Sequence, residues 1–251
     1  MSESLRIWVE IGFNLTYLFV IWGIVVAMYR RRFQVLPENR SLAWRMLLAF
    51  GFLALGDTGH VGLRIIAYAL GSLDSRPVVF GIPLSLVGVG ALSTAITVTF
   101  FYMLMLDAWR LRFRQPLGLV SGALLATGVI RLVVMAFPQN RWDQVVAPYE
   151  WSLARNALLT IQGLGVMILI VKDGLVRKDP AFTWIGVMIA LSFLFYAPVI
   201  LWVQWLPGLG MLMIPKTCAY LGIAVIAYRE LYLMPVKKAG MAEINITHSA
   251  S

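Results

Sequence analysis

Seven stretches of predominantly apolar residues, each about twenty residues or longer, leave this chain few folds to choose from. They cover residues 7–29, 46–70, 78–106, 117–137, 151–171, 182–205 and 209–227. Twenty residues of α-helix rise about 30 Å, which matches the hydrocarbon thickness of a bilayer. A helix also satisfies its own backbone polar groups where no water can. Pro37, Pro77, Pro116, Pro138, Pro180 and Pro207 fall at or near the ends of these stretches, where a residue lacking an N–H starts or stops a helix. Hydrophobic residues make up 60% of the 251 and charged ones 13%, against about a quarter charged in a soluble domain. A soluble fold would leave large apolar patches in water. The sequence therefore predicts an all-α, polytopic membrane protein. A seven-transmembrane-helix bundle occupies residues 1–236, and a short tail, expected to be disordered, occupies residues 237–251. No hydrophilic stretch is long enough to fold as a second domain.

The net charge is +9, and its placement predicts orientation. Arg30, Arg31, Arg32, Arg40 and Arg45 follow the first stretch, and Arg110, Arg112 and Arg114 follow the third. Lys172, Arg177 and Lys178 follow the fifth, and Arg229, Lys237 and Lys238 follow the seventh. The opposite connections hold only Arg6, Arg76 and Arg141. Basic residues mark cytoplasmic loops, so the N-terminus is expected outside and the C-terminus in the cytoplasm of a cell membrane. Trp109, Trp142, Trp151, Trp205 and Tyr232 lie near span ends, as interfacial aromatics do. No basic stripe with interleaved aromatics lies outside the spans, which speaks against a nucleic-acid partner. The N-terminus does not read as a cleavable signal, because its apolar run is long and arginines follow it directly. Cys218 is the single cysteine, which excludes a disulfide framework and a paired-thiol motif. His60 and His248 are the only histidines, too few for a typical catalytic zinc site or a bis-histidine haem. No metal is expected. There is no glycine-rich phosphate loop and no nucleophile elbow.

The remaining basic residues, Arg64, Arg131, Arg155 and Lys216, lie within spans or close to their ends. Charges at such depth are paired or face a watery cavity. Their common bias toward one side predicts a polar crevice open on the extracytoplasmic face. The second span carries the densest cluster. Asp57, His60 and Arg64, spaced i, i+3 and i+7, share one helical face. This arrangement fits a ligand or proton-handling site, and fits equally a salt-bridge ladder that holds the span to its neighbours. Gly56, Gly59 and Gly62 suit close helix packing. In the seventh span, Pro215 is expected to kink the helix beside Lys216. That lysine is expected to pair with Asp57, or else to bind an anion or form a Schiff base. A lysine in the last of seven helices invites comparison with retinal proteins, and Tyr196, Pro198 and Trp202 add to that. The third span opposes it, offering Ser85, Ser93, Thr94, Thr97, Thr99 and Tyr102 but no carboxylate as counter-ion, so no resemblance is drawn. In the fifth span, Arg155 and Gln162, seven apart, share a face beside Asn156. Glu10 and Asn14 approach from the first. The 138–143 loop reads as a cap on the crevice or as an ordinary interfacial turn.

Three functions compete. The first is a receptor, sensor or carrier binding a small or lipid-like, anionic ligand with an apolar body. Its pocket would be formed by Asp57, His60, Arg64, Arg155, Asn156, Gln162, Tyr196 and Lys216, with pH sensitivity around neutrality from His60. The second is a membrane-embedded enzyme using Asp57 and His60 as an acid–base pair. The third is a structural or assembly subunit whose polar face packs on a membrane-protein partner. No motif names a cofactor.

Overall fold

The computed structural model describes residues 3–79 and 82–233. The expected polar tail, 237–251, lies outside the described residues. Seven helices are long and apolar enough to cross a membrane, and the chain is a multi-pass membrane protein. They are α1 (Glu3–Arg31), α2 (Arg40–Ala69), α3 (Leu86–Phe113), α4 (Leu119–Ala136), α5 (Tyr149–Val176), α6 (Pro180–Trp202) and α7 (Met213–Tyr228). A π-helical turn, Arg229–Leu233, extends α7. Sequential neighbours pack together, α7 closes back on α1, and α3 also reaches α5. Large apolar side chains such as Phe19, Leu119 and Leu194 point outward, which only a lipid solvent accommodates cheaply.

Several boundaries shift by a few residues, and two departures from the sequence reading bear on the site. The third span does not begin at Val78. Val78–Val79 and Ile82–Pro83 form a short antiparallel pair, and α3 starts at Leu86 behind a Ser85 cap that accepts from the Gly88 amide at 3.1 Å. Hydropathy alone cannot separate a short apolar hairpin from a helical turn. In the seventh span, a 3₁₀ segment, Pro207–Leu212, precedes α7. Pro215 is therefore the third residue of α7, in the first turn, where its missing N–H has no helical partner to lose. Lys216 follows it in the first turn of α7, not in mid-helix as expected. The interior proline is Pro198 in α6.

Small residues bring α2 and α3 together. A Cβ at Gly56 would overlap the Thr97 side chain, one at Gly59 would sit 2.6 Å from Ser93 Oγ, and one at Gly90 would sit 3.0 Å from the His60 Cα. Gly62 plays no such part, since a Cβ there meets nothing within 4 Å.

The two ends of the bundle are built differently. At the end holding the α1–α2, α3–α4 and α5–α6 connections, ion pairs tie helix to helix. Arg45 meets Asp107 at 2.6 Å, and Arg112 joins Asp179 at 2.7 Å and Glu230 at 3.0 Å. Trp109, expected at an interface, is buried there and donates to Asp173 Oδ2 at 2.9 Å. Tyr232 is buried too and donates to the Ala43 carbonyl at 2.7 Å. Above this end a continuous apolar core runs through Met28, Phe50, Phe101, Met105, Ile170 and Ile223. It finishes at the hydroxyl pair of Tyr102 and Tyr220, 2.7 Å apart. Beyond that layer, toward the N-terminal end, the bundle opens.

Candidate functional site

The opening is a cavity of about 560 Å³ to which all seven helices contribute. Its walls carry Asp57, His60, Arg64, Arg155, Asn156, Tyr196 and Lys216, seven of the eight residues the sequence singles out. Gln162 is not among them. It is fully buried below the cavity, its amide against Gly128, with neither amide atom hydrogen-bonded. Seven residues along α5 amount to about 10 Å of rise, so sharing a face with Arg155 still puts Gln162 beneath the floor. Leu159, one turn earlier, is the floor residue on that helix.

Asp57 and Lys216 do not form the expected ion pair. Asp57 Oδ2 accepts from the Tyr17 hydroxyl at 2.7 Å, and Oδ1 accepts from Thr94 at 3.2 Å. No cation lies within 4 Å of Asp57 among the described residues. Hydroxyl donors satisfy a buried carboxylate without a second charge having to be desolvated. The Lys216 ammonium instead lies over two aromatic rings, 4.4 Å from the Tyr196 centroid and 5.4 Å from that of Tyr220. Such contact is favourable for a cation and leaves its N–H donors free to face the cavity.

The expected ladder on α2 is likewise incomplete. Arg64 reaches across to Glu10 of α1 at 3.4 Å. Asp57 and His60 make no hydrogen bond to each other, and His60 Nδ1 is buried without a partner.

Arginine supplies the far wall. Arg155 donates to Asn140 Oδ1 at 3.1 Å and stacks 4.4 Å from the Trp142 ring. Asn140 is fully buried and is fixed by its own bonds to the Val134 and Phe137 carbonyls. Trp142 donates to the Met135 carbonyl at 2.9 Å and lines the cavity. The 138–143 loop is thus a cap rather than a plain turn. At its exposed edge, Arg141 hydrogen bonds hold the Asp143 carboxyl below its usual range. Beside Arg155, Asn156 Oδ1 accepts from the Tyr196 hydroxyl at 3.1 Å.

Arg131 is the residue whose role the sequence understates. It reads there as one of the four span cations that predict the crevice, but not as one of the pocket residues. In the fold it is almost wholly buried and lines the cavity. It donates to the Arg155 carbonyl at 2.9 Å, to the Ala95 carbonyl at 2.6 Å and to Thr99 Oγ1. None of its partners is a carboxylate. Tyr17 was also missed, although a signal exists: Glu10, Asn14 and Tyr17 are spaced i, i+4, i+7, one face of α1, and all three line the cavity. Thr94 carries no charge or unusual spacing to announce it.

The electrostatic result is asymmetric. Arg64 and Glu10 cancel one another. Against Asp57 stand Arg131, Arg155 and Lys216, and none of these has a carboxylate within 4 Å among the described residues. The walls between them are apolar, with Leu53, Val98, Leu159, Val199 and Ile214. Among the described residues no group of three His, Cys, Asp or Glu side chains is placed to hold a metal. No protein-family model, curated protein or solved structure matches this chain.

Proposed function

We propose that this protein binds a lipid-like anion in the central cavity and acts as a receptor, sensor or carrier in the cell membrane. In this reading the cavity opens outward, the N-terminus is outside, and the basic loops lie in the cytoplasm, following the lysine and arginine bias. The observation that carries the reading is the excess of cations. Arg131, Arg155 and Lys216 border one cavity within a membrane-spanning bundle, with no carboxylate partner among the described residues. Uncompensated charge is expensive there unless water or an anion supplies the balance. An acidic head group near Lys216 and Arg155 complements that charge, and the apolar walls suit a hydrocarbon body. Asp57, held by Tyr17 and Thr94, then sets the position of the head by repulsion rather than by contact.

The test uses palmitate carrying a diazirine in its chain, added to the purified protein in nanodiscs. Irradiation at equilibrium is followed by peptide mapping. Labelling of cavity-wall peptides around Leu159 and Val199 is expected, with displacement by unlabelled palmitate but not by hexadecanol of equal chain length. Lys216→Met should weaken binding at least about tenfold, the loss of one charge-assisted hydrogen bond. Label confined to lipid-facing surfaces, or equal competition by the alcohol, would refute the reading.

A further inference from the structure

The cavity has a second boundary, on the side of the bundle that faces lipid. Over residues 9–16 no side chain of α1 is buried, whereas Tyr17, Ile21, Val25 and Met28 all are. The first half of α1 thus touches the bundle only through half-buried side chains such as Phe13, and the second half packs into it. A narrow crevice runs between that first half and α2. Ile11 of α1 and Ile65 and Tyr68 of α2 line it, and it shares Glu10, Asn14, His60, Val61 and Arg64 with the central cavity. Those five residues form a wall common to the two spaces.

One ion pair closes that wall. Arg64 to Glu10, at 3.4 Å, joins α2 to α1, and both side chains are about one-third exposed, 32% each. Below it α1 and α2 are pinned by Tyr17 to Asp57 at 2.7 Å and by Trp22 to Thr58 at 2.9 Å. The junction therefore has a fixed lower part and an upper part held by one partly exposed pair, which on its own holds weakly. Arg64 lies five residues before the end of α2, about 8 Å along the axis, close to where head groups meet acyl chains in a bilayer.

We propose that the α1–α2 junction is a lateral portal, latched by Glu10 and Arg64, through which a single-chain acidic amphiphile passes from the bilayer into the cavity. This rests on the binding reading above and narrows its ligand to a molecule resident in the membrane. The chemistry matches the route. Arg64 at the latch presents a cation to an incoming acidic head while its bond to Glu10 is exchanged. Lys216 and Arg155 lie further in, and Ile11, Val61 and Ile65 offer an apolar track for the chain. A ligand dissolved in water would have no use for such a track and would pass between Trp142, Tyr149 and Gln204 at the end of the bundle.

The experiment bridges the portal. Ile11→Cys and Ile65→Cys are combined with Cys218→Ala and joined by a short thiol-reactive crosslinker that reductant releases. The probe is the diazirine palmitate, irradiated at intervals after addition to nanodiscs. Labelling of the Leu159 and Val199 peptides should slow at least tenfold in the bridged protein and recover when the bridge is cut. Glu10→Gln, left unbridged, should fill faster than the parent, and an unchanged rate would overturn the latch. Equal rates with and without the bridge would overturn the portal while leaving the cavity as a binding site. Absence of cavity label in the unbridged protein would overturn both.

Discussion

Replacing Asp57 by asparagine distinguishes two ways of holding a carboxylate inside a membrane protein. If Asp57 were neutralised by Lys216 in direct contact, removing its charge would strand a buried ammonium, at about 3–5 kcal/mol, and removing the lysine as well would restore much of the loss. The structure has a different arrangement. Tyr17 and Thr94 donate to the two oxygens at 2.7 and 3.2 Å, and the lysine rests on tyrosine rings. Asparagine keeps one carbonyl acceptor for Tyr17, and the Thr94 hydroxyl can turn to accept from the amide. What disappears is the charge assistance of two bonds, the difference between about 1.5–3 kcal/mol and about 1 kcal/mol for each. Asp57→Asn should thus destabilise by about 1–4 kcal/mol. In the double-mutant cycle with Lys216→Met, the coupling should stay below about 1 kcal/mol, although both residues line one cavity. Reversible unfolding in mixed micelles, followed by tryptophan fluorescence, measures all four corners. Tyr17→Phe gives an internal control: its effect should shrink in the Asp57→Asn background. A coupling of about 3 kcal/mol or more, with the double variant recovering stability, would refute the hydroxyl-held carboxylate.

In a Cys218→Ala background, cysteines at Ser75 and Gln144 should react with an impermeant thiol reagent in intact cells and one at Ser41 should not; the reverse pattern would invert the proposed orientation. Gly56→Val should destabilise by about 1–3 kcal/mol through overpacking against Thr97, while Gly62→Ala, where a Cβ meets nothing, should be neutral or stabilising by a few tenths of a kcal/mol; thermal unfolding of both variants checks this. Arg112→Met removes both ion pairs that join α3 to Asp179 and Glu230 and should cost about 2–3 kcal/mol, read in the same unfolding assay, without altering palmitate labelling of the cavity.

The seven spans were legible because their signal is additive over twenty residues and survives local exceptions. The exceptions are places where a few residues decide. Val78–Val79 and Ile82–Pro83 are apolar enough to pass for helix yet pair as two short strands, and Pro215 reads as a kink until the 3₁₀ segment before it puts it in a first turn. Most of the ionisable groups on the cavity wall were legible for a related reason. Ionisable groups inside a span must go somewhere polar, and helical periodicity says which of them go together. Contacts between helices were not legible. Charge complementarity matched Asp57 with Lys216, but the fold gives the carboxylate to Tyr17 and Thr94, two neutral groups that sequence cannot single out. Depth along a helix misled for Gln162, since a shared face does not mean a shared height. Arg131 was undervalued because its partners are backbone carbonyls and a threonine, which leave no complementary charge in the sequence.

The most direct test is an experimental map of the protein in nanodiscs containing palmitate. Density for a carboxylate head about 3 Å from Lys216 Nζ or from the Arg155 guanidinium, with its chain among Leu53, Val98 and Leu159, is the expected result. A cavity holding water alone, with palmitate only on the outer faces of the helices, would contradict it.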